Sequence, residues 1–286
     1  VPKIMYVPAE RNFLSTIQDA YNVKGLPEHL FTFAEELKKA QKKYTGKRID
    51  IPINNVKYEY DDHSESSYIS GSDHRINLLY ASSGFQSVIP LYFVTRYLTN
   101  LIKKKDILPR ENMSVSQSIR MNEEITTITL DKALSEEIKQ KRIRQIQAKF
   151  INQCLINIVE EPEQNLYPTS QREIVNNLLK YNNLVPMNKL LLTTHSPYIL
   201  SYITLAIKAH LLKNKIGYGS VYKIGSPKWK LSRIVPLSST IKPEDIAIYE
   251  FDERKGGIVK LGNFLGIPSD KNYLNLSLAN GNELYD

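Results

Sequence analysis

Residues 156–168 read INIVEEPEQNLYP, so that a hydrophobic run passes directly into acidic residues. Residues 155–159 are short and almost wholly apolar, which predicts a buried strand ending at Glu160 and Glu161. Ligands bind at the carboxyl edge of a parallel sheet. There, one carboxylate can hold Mg²⁺ and the next can orient and deprotonate an attacking water. The alternative, that two acidic residues simply end a strand in solvent, stays open from these residues alone.

A second buried strand is predicted at residues 190–193. Ser170, followed three positions later by Glu173, predicts a capping box at the start of a helix between the two strands. Ser196 and Pro197 predict the start of another helix that ends near Lys213. Two successive strand and helix units imply right-handed crossovers and a parallel sheet.

One histidine, His195, follows the second strand. If the two strands are neighbours in the sheet, His195 lies beside Glu161. A neutral imidazole there could form a hydrogen bond with a γ-phosphate or with the attacking water, and its pKa lies in the useful range. A lone histidine is more often structural, but the position of this one relative to Glu161 favours a functional role.

Residues 81–86 read ASSGFQ and lie where a strand gives way to a helix, predicted over residues 88–102. The free N–H groups of a helix N-terminus, with the hydroxyl of Ser82 or Ser83 and the small Gly84, make an anion site. Gln86 closes this segment. A plain helix cap is the alternative interpretation.

The other elements follow from the hydrophobic period. Residues 4–7 predict a strand, residues 27–43 a helix, and a period of two over residues 47–80 an antiparallel β meander. Residues 106–153 are interpreted as an insertion, partly helical through a charged helix at 131–150. Residues 154–213 form a βαβα core. The tail, residues 214–286, is α/β, with short strands predicted at 221–224, 246–249 and 258–261.

Composition limits the class of protein. The 286 residues include 38 Lys and Arg against 30 Asp and Glu, a net charge of +8, and 42% are hydrophobic. These values exclude collagen-like and wholly disordered chains. The apolar runs are far shorter than the ~18 residues of a membrane span, and no signal peptide opens the sequence. The single cysteine, Cys154, excludes an internal disulfide. We expect a cytoplasmic protein without a membrane partner.

Three segments in this order resemble the ABC-type ATPase heads, in the branch that includes SMC, RecF and OLD-like proteins and many ATPases labelled as AAA-type. Residues 82–86 match the signature loop, residues 155–161 the Walker B strand, and His195 the switch histidine. The resemblance implies an α/β fold: a P-loop NTPase-like, mostly parallel sheet flanked by helices, with the β meander and the helical insertion added.

The resemblance also implies roles for the site residues, with ATP and Mg²⁺ as cofactors. Glu160 serves Mg²⁺, Glu161 is the catalytic base and His195 senses the γ-phosphate. The signature loop, with Ser82, Ser83, Gly84 and Gln86, contacts the nucleotide of a second subunit, because these heads sandwich ATP between two protomers. A homodimer is therefore expected.

The sequence departs from the family pattern in three ways. Glu160 replaces the commoner aspartate, and Ser83 stands where many transporters have glycine. The phosphate loop G-x-x-x-x-G-K-S/T is absent, because Gly46-Lys47 lacks both the upstream glycine and the following hydroxyl. We expect that loop and the first strands to precede Val1. Residues 1–286 would then be the C-terminal part of a head and inactive alone.

Three functions remain as hypotheses. The first is an ATPase that drives a partner effector or acts on nucleic acid, as in DNA repair or anti-phage defence. The second is a scaffold that holds ATP and hardly hydrolyses it. The third is a Mg²⁺-dependent nuclease built on Glu160, Glu161 and Glu163. Further carboxylates that keep the nuclease open are Asp245, Glu250, Asp252 and Glu253.

Basic residues suggest two further contacts. Arg11 is interpreted either as a phosphate or interface contact or as a member of a structural ion pair. The charged helix could bind a DNA or RNA backbone, or could simply be a solvated face. Its cations are Lys139, Lys141, Arg142, Arg144 and Lys149.

Overall fold

The fold is seen in a computed structural model, which describes residues 1–17, 22–103, 115–217, 222–252, 256–264 and 266–283. In chain order the strands and α-helices are β1 (Pro2–Val7), α1 (Phe13–Thr16), α2 (Glu28–Lys43), β2 (Ile49–Asp50), β3 (Lys57–Asp61), β4 (Ser66–Ser70), β5 (Arg75–Asn77), α3 (Ser83–Lys103), α4 (Val115–Leu130), α5 (Glu136–Lys149), β6 (Cys154–Glu160), α6 (Pro168–Asn182), β7 (Lys189–Thr193), α7 (Pro197–Ile216), α8 (Pro227–Ile234), β8 (Tyr249–Asp252), β9 (Gly257–Lys260), β10 (Asn263–Phe264), β11 (Ile267–Pro268) and α9 (Tyr273–Glu283).

Three parallel strands, in the order β1-β6-β7, form the sheet that carries the candidate site. Val7 pairs with Val159, and Glu160 pairs with Thr193. Alternate side chains, including Met5, Val7 and Val159, are buried in one core with residues of α3 and α6. Helices thus flank a parallel sheet, which confirms the predicted α/β, P-loop NTPase-like fold class.

The central helix α3 is buried along most of its length, although it contains Pro90. Proline has no N–H to donate to the carbonyl four residues earlier, which here belongs to Gln86. That carbonyl instead accepts a 2.9 Å hydrogen bond from the hydroxyl of Ser15. Further along α3, the ring of Phe93 lies 4.2 Å from that of Tyr58, centroid to centroid. The hydroxyl of Ser15 thus replaces the missing main-chain donor, and the apolar helix continues past Pro90.

The predicted meander is a four-stranded antiparallel sheet in the order β2-β3-β4-β5. The strand β4 was not predicted, because it is serine-rich and only Ile69 in it is buried. The predicted alternation through residue 80 is wrong in part. The last strand ends at Asn77, whose side chain accepts the N–H of Leu79 and starts a 3-10 turn. Tyr80 is consequently 79% exposed.

The insertion is helical where it is described, with α4 and α5 packing around Met121 and Ile146. The prediction of one helix over residues 131–150 is wrong at its start, because α5 begins at Glu136 after the N-cap Ser135. The helix α4 was not predicted. Within the described residues, no helix is both long and apolar enough to cross a membrane.

Three local predictions need correction. The helix α6 begins at Pro168 with Tyr167 at its N-cap, so Ser170 lies inside the helix and the capping box with Glu173 does not form. Proline at the first helical position sets the N-cap three residues earlier, at Tyr167 and not at Ser170. The strand predicted at 221–224 includes Val221, which lies outside the described residues, and residues 222–224 are not a strand. The strand predicted at 246–249 begins only at Tyr249.

Candidate active site at the ends of two parallel strands

The carboxyl ends of β6 and β7 lie side by side. After the last paired residues of the ladder, the N–H of Glu161 donates a 3.0 Å hydrogen bond to the carbonyl of Thr193. The two predicted strands are therefore neighbours, which is the condition under which the sequence placed His195 beside Glu161. This ladder brings the acidic pair and His195 to one edge of the sheet, which is where ligands bind in open parallel sheets.

Glu161 and His195 face each other at this edge. Glu161 Oε1 lies 3.8 Å from His195 Nε2, and the side chains are 38% and 87% exposed. Glu161 has a φ of +40°, a backbone conformation that side chains other than glycine rarely adopt. Strain of this kind persists only where surrounding contacts enforce it, and it clusters at functional sites. The turn directs the carboxylate toward the imidazole and toward solvent.

Glu160, one residue earlier, contacts the end of β1. Its Oε2 accepts the N–H of Ala9 at 3.2 Å, and its carboxylate also accepts the hydroxyl of Tyr6. Burial raises the pKa of Tyr6 to about 12, and the hydrogen bond to Glu160 and the charges of Glu160 and Glu10 act in the same direction. Tyr6 therefore stays protonated and donates to the carboxylate, which fixes its orientation.

The donor set at this edge fits Mg²⁺ only together with phosphate. Within the described parts of the chain, no cluster of three or more His, Cys, Asp or Glu side chains could hold a metal ion. Mg²⁺ in nucleotide sites is commonly held by one or two protein carboxylates, several waters and the phosphate oxygens. Glu160 supplies one carboxylate of that kind, so the residues fit a metal that arrives with its nucleotide.

Arg11 connects the strand end to α3. Its side chain is 1% exposed, and Nη1 donates to the carbonyls of Pro8 and Glu160, Nη2 to that of Glu161 and Nε to that of Ser87. These bonds are 2.8 to 3.1 Å long. Every one of them ends on a main-chain carbonyl, so the direct partners of Arg11 are carbonyls and not the carboxylate of an ion pair.

Burial makes this guanidinium less basic. It lowers the pKa of Arg11 to about 10, against the opposing influence of the carboxylates of Glu163, Glu161 and Glu160. The side chain remains a cation at neutral pH, and the three carboxylates compensate its charge. The acidic cluster is thus held around a buried positive charge as well as at the edge of a sheet.

The candidate signature segment is the first turn of α3, and its members differ in accessibility. Ser82 and Ser83 are exposed, whereas Gly84 is buried. A Cβ on Gly84 would lie 2.9 Å from the carbonyl oxygen of Asn165, so only glycine lets this turn approach the loop after β6. The side-chain amide of Gln86 donates to the carbonyls of residues 78 and 79 of its own chain. Only the two serines present side chains to solvent.

Glu163 has a role that the sequence did not indicate. Its Oε1 accepts two hydrogen bonds from the β7 side, one from the hydroxyl of Thr194 at 2.7 Å and one from the N–H of His195 at 2.8 Å. Its Oε2 is buried without a hydrogen-bond partner in the described residues. A carboxylate two positions after Glu161, across Pro162, was the available signal, but its partner could not be identified without the fold.

A family model described as an AAA ATPase domain matches residues 10–200 of the chain. The match includes the candidate signature segment, both strand ends and the loops that follow them. No curated protein sequence matches the chain.

Proposed function

Because the chain belongs to the AAA ATPase domain family, we propose that it binds and hydrolyses ATP in the manner of the ABC-type heads of SMC, RecF and OLD-like proteins. One observation carries the proposal. A carboxylate in a strained turn, Glu161, lies 3.8 Å from the imidazole of His195 at the carboxyl ends of adjacent parallel strands. A carboxylate and an imidazole at such an edge can contact a bound phosphate and the water that attacks it.

The proposed roles follow from chemical type and position. Glu161 accepts a proton from the attacking water as the water oxygen bonds to the γ-phosphorus and the bond from that phosphorus to the β–γ bridging oxygen breaks, which releases ADP. His195 forms a hydrogen bond with an oxygen of the terminal phosphate. Glu160, oriented by Tyr6, serves Mg²⁺, which when bound neutralises charge on the phosphates. Arg11 touches none of these groups and instead fixes the main chain that bears both glutamates.

A second subunit completes the proposed site. Ser82 and Ser83 are exposed at the N-terminus of α3, where main-chain N–H groups and the helix dipole favour an anion. In a homodimer sandwich, this turn faces the nucleotide of the partner subunit. Gly84 and Gln86 contribute through the close packing and internal bonds of the turn rather than through exposed side chains.

The proposal includes an effector protein or a nucleic acid as the target of the ATP cycle. The exposed cations Lys141, Arg142 and Arg144 on α5 support nucleic acid as one candidate. Reversing these three charges should then abolish salt-sensitive binding to DNA or RNA. Unchanged affinity would leave an effector protein as the partner.

The competing hypothesis is a scaffold that binds ATP and hardly hydrolyses it. Replacement of Glu161 by Gln distinguishes the two, because it keeps the shape of the side chain and removes the base. In the enzyme, Glu161→Gln should lose at least about 100-fold of kcat and retain ATP-dependent dimers. In the scaffold, the slow turnover would scarcely change.

The assay uses the protein as its natural gene encodes it. Phosphate release is measured with ATP and Mg²⁺, and dimers are measured by light scattering. Glu173→Gln on α6 is the matched control, because Glu173 is a partly exposed surface residue paired only with its neighbour Arg172 among the described ion pairs. Absence of ATP-dependent turnover in the wild type would refute the enzyme. Metal-dependent cleavage of DNA by the wild type would instead support the nuclease.

A further inference from the structure

We infer that Glu163 is a positioning residue for His195: its carboxylate, carried on the β6 loop, fixes the main chain from which the imidazole projects. The inference rests on the proposed function, because it assigns Glu163 to the geometry of the same site. It also makes a structural claim that can be measured without ATP. The two parts are tested separately below.

The imidazole has little else to hold it. His195 is 87% exposed, and its described polar contact is the 3.8 Å approach to Glu161. The direction of such a side chain is therefore set by its main chain. The N–H of His195 donates to Glu163 Oε1 at 2.8 Å, a length typical of a bond to a charged acceptor.

The residues on either side of His195 are fixed by the same network. The hydroxyl of Thr194 donates to Glu163 Oε1 at 2.7 Å and accepts the N–H of Ser196 at 2.9 Å. The hydroxyl of Ser196 donates to Gln171 of α6 at 2.7 Å. Three consecutive residues after β7 are thus linked, directly or through Thr194, to the one carboxylate.

The anchor of that network is the loop that bears the proposed base. Glu163 is two residues from Glu161, and its carbonyl accepts the N–H of Leu166, which closes a turn. The buried guanidinium of Arg11 donates to the carbonyl of Glu161 and attracts the charge of Glu163. One rigid loop consequently sets the positions of both members of the Glu161 and His195 pair. A change at Glu163 alters their separation without touching either side chain.

Two variants of Glu163 test the inference. Glu163→Ala removes the acceptor, and Glu163→Gln keeps an oxygen acceptor for both bonds while removing the charge, which weakens each bond by roughly half. Glu173→Ala and Glu173→Gln are the matched controls. Because Glu163→Gln also keeps the size of the side chain, it serves as the second test of the same bonds if Glu163→Ala does not fold.

The first readout is the main-chain amide of His195 in protein labelled with ¹⁵N-histidine, where His195→Gln identifies the signal by its loss. We expect a downfield amide proton in the wild type. It should move upfield and exchange with solvent at least about tenfold faster in Glu163→Ala, with Glu163→Gln in between. An unchanged signal in Glu163→Ala, or in Glu163→Gln if the alanine variant is unfolded, overturns the structural claim.

The second readout is ATP turnover. Loss of positioning should lower kcat by about 10- to 100-fold with little change in KM, because a displaced group costs rate more than ground-state binding. Glu163→Gln should recover most of this loss. If the wild type hydrolyses ATP and Glu163→Ala retains its kcat, the positioning role is wrong and the proposed function stands. If the wild type does not hydrolyse ATP, the proposed function fails, and the amide signal still decides the structural claim.

Discussion

Arg11 donates a 2.8 Å hydrogen bond from Nη2 to the main-chain carbonyl of Glu161, and the same guanidinium reaches the carbonyls of Pro8, Glu160 and Ser87. Arg11→Ala should therefore lower the free energy of unfolding by at least about 3 kcal/mol, since it leaves several buried carbonyls without a donor. Arg11→Lys should lose less stability than Arg11→Ala, because an ammonium keeps the charge. It should still be less stable than the wild type, because an ammonium cannot span the same carbonyls. Urea denaturation measures both.

Arg48→Ala is the control for this prediction. Arg48 is 69% exposed, and its ion pair with Glu59 at 3.6 Å should contribute no more than about 1 kcal/mol. Equal losses in Arg11→Ala and Arg48→Ala would show that the buried network contributes nothing beyond a surface charge.

We expect the fold to be more stable with glycine at position 161 than with Glu161. Its φ of +40° costs about 1–3 kcal/mol in a residue with a side chain, whereas glycine carries an entropic penalty of about 0.5–1 kcal/mol. Glu161→Gly should thus raise the free energy of unfolding by about 1 kcal/mol and abolish ATP hydrolysis.

The matched variant here is Glu161→Gln, which removes the same charge and keeps the strain. Thermal and urea unfolding of the two variants isolates the backbone effect. If Glu161→Gly is no more stable than Glu161→Gln, the turn is not strained.

Gly84 should tolerate no larger residue. The Cβ of Gly84→Ala would lie 2.9 Å from the carbonyl oxygen of Asn165, so the first turn of α3 would have to move away from the β6 loop. We expect a loss of about 1–3 kcal/mol of stability. Under the proposed function, dimerisation in ATP should also weaken, because Ser82 and Ser83 lie on the displaced turn.

Gly262→Ala is the matched control, since no atom lies within 4 Å of the position of its new Cβ. Its stability should stay within about 1 kcal/mol of the wild type, the entropic difference between glycine and alanine. A Gly84→Ala protein that is as stable as Gly262→Ala and still dimerises would show that the turn has room to adapt.

Ionisation of Tyr6 should destabilise the fold at alkaline pH. Burial, with the hydrogen bond to Glu160, raises its pKa to about 12 from an ordinary value of 10.0. Between these pH values the folded protein retains a proton that the unfolded chain has released. The contribution of Tyr6 is therefore fully present below pH 10 and is lost as pH rises toward 12.

Tyr6→Phe removes this contribution and isolates it from those of the other tyrosines. The difference in phenolate absorbance between the wild type and Tyr6→Phe should show one group with a midpoint near 12. The stability of the two proteins should converge over the same interval. A difference titration centred near 10 would mean that Tyr6 is not bonded to Glu160.

The strands and helices of the site followed from local pattern. The apolar runs before Glu161 and before His195 predicted two strands, and their order in the chain predicted a parallel pair, because a helix lies between them. The prediction that both strands are buried is wrong for β7, in which Leu191 is 51% exposed, because β7 is an edge strand of the described sheet. The 3.8 Å contact of the two side chains was implied by that adjacency. These features depend on hydrophobic period and on chain topology, which a sequence records directly.

The supporting contacts could not be predicted, because their partners are far apart in the sequence. Arg11 binds carbonyls about 150 residues away, and main-chain acceptors leave no trace in residue type. Glu163 binds a hydroxyl and an N–H more than 30 residues ahead. The predicted start of α6 was wrong because the sequence carries two helix-start signals, the pair Ser170 and Glu173 and the proline Pro168. The helix begins at Pro168. The residues proposed to carry the chemistry could thus be predicted from the sequence, whereas the residues that orient them could not.

The hydrogen bond from the Glu161 N–H to the Thr193 carbonyl has a consequence for the candidate site. The two strand ends are joined by the same interactions that hold the sheet together, so their relative placement is fixed during folding. Under the proposed function, these main-chain segments should therefore lose little conformational entropy when a nucleotide binds. Slow exchange of the Glu161 amide in ligand-free protein, as slow as that of the core strands, would be the signature of a preorganised site.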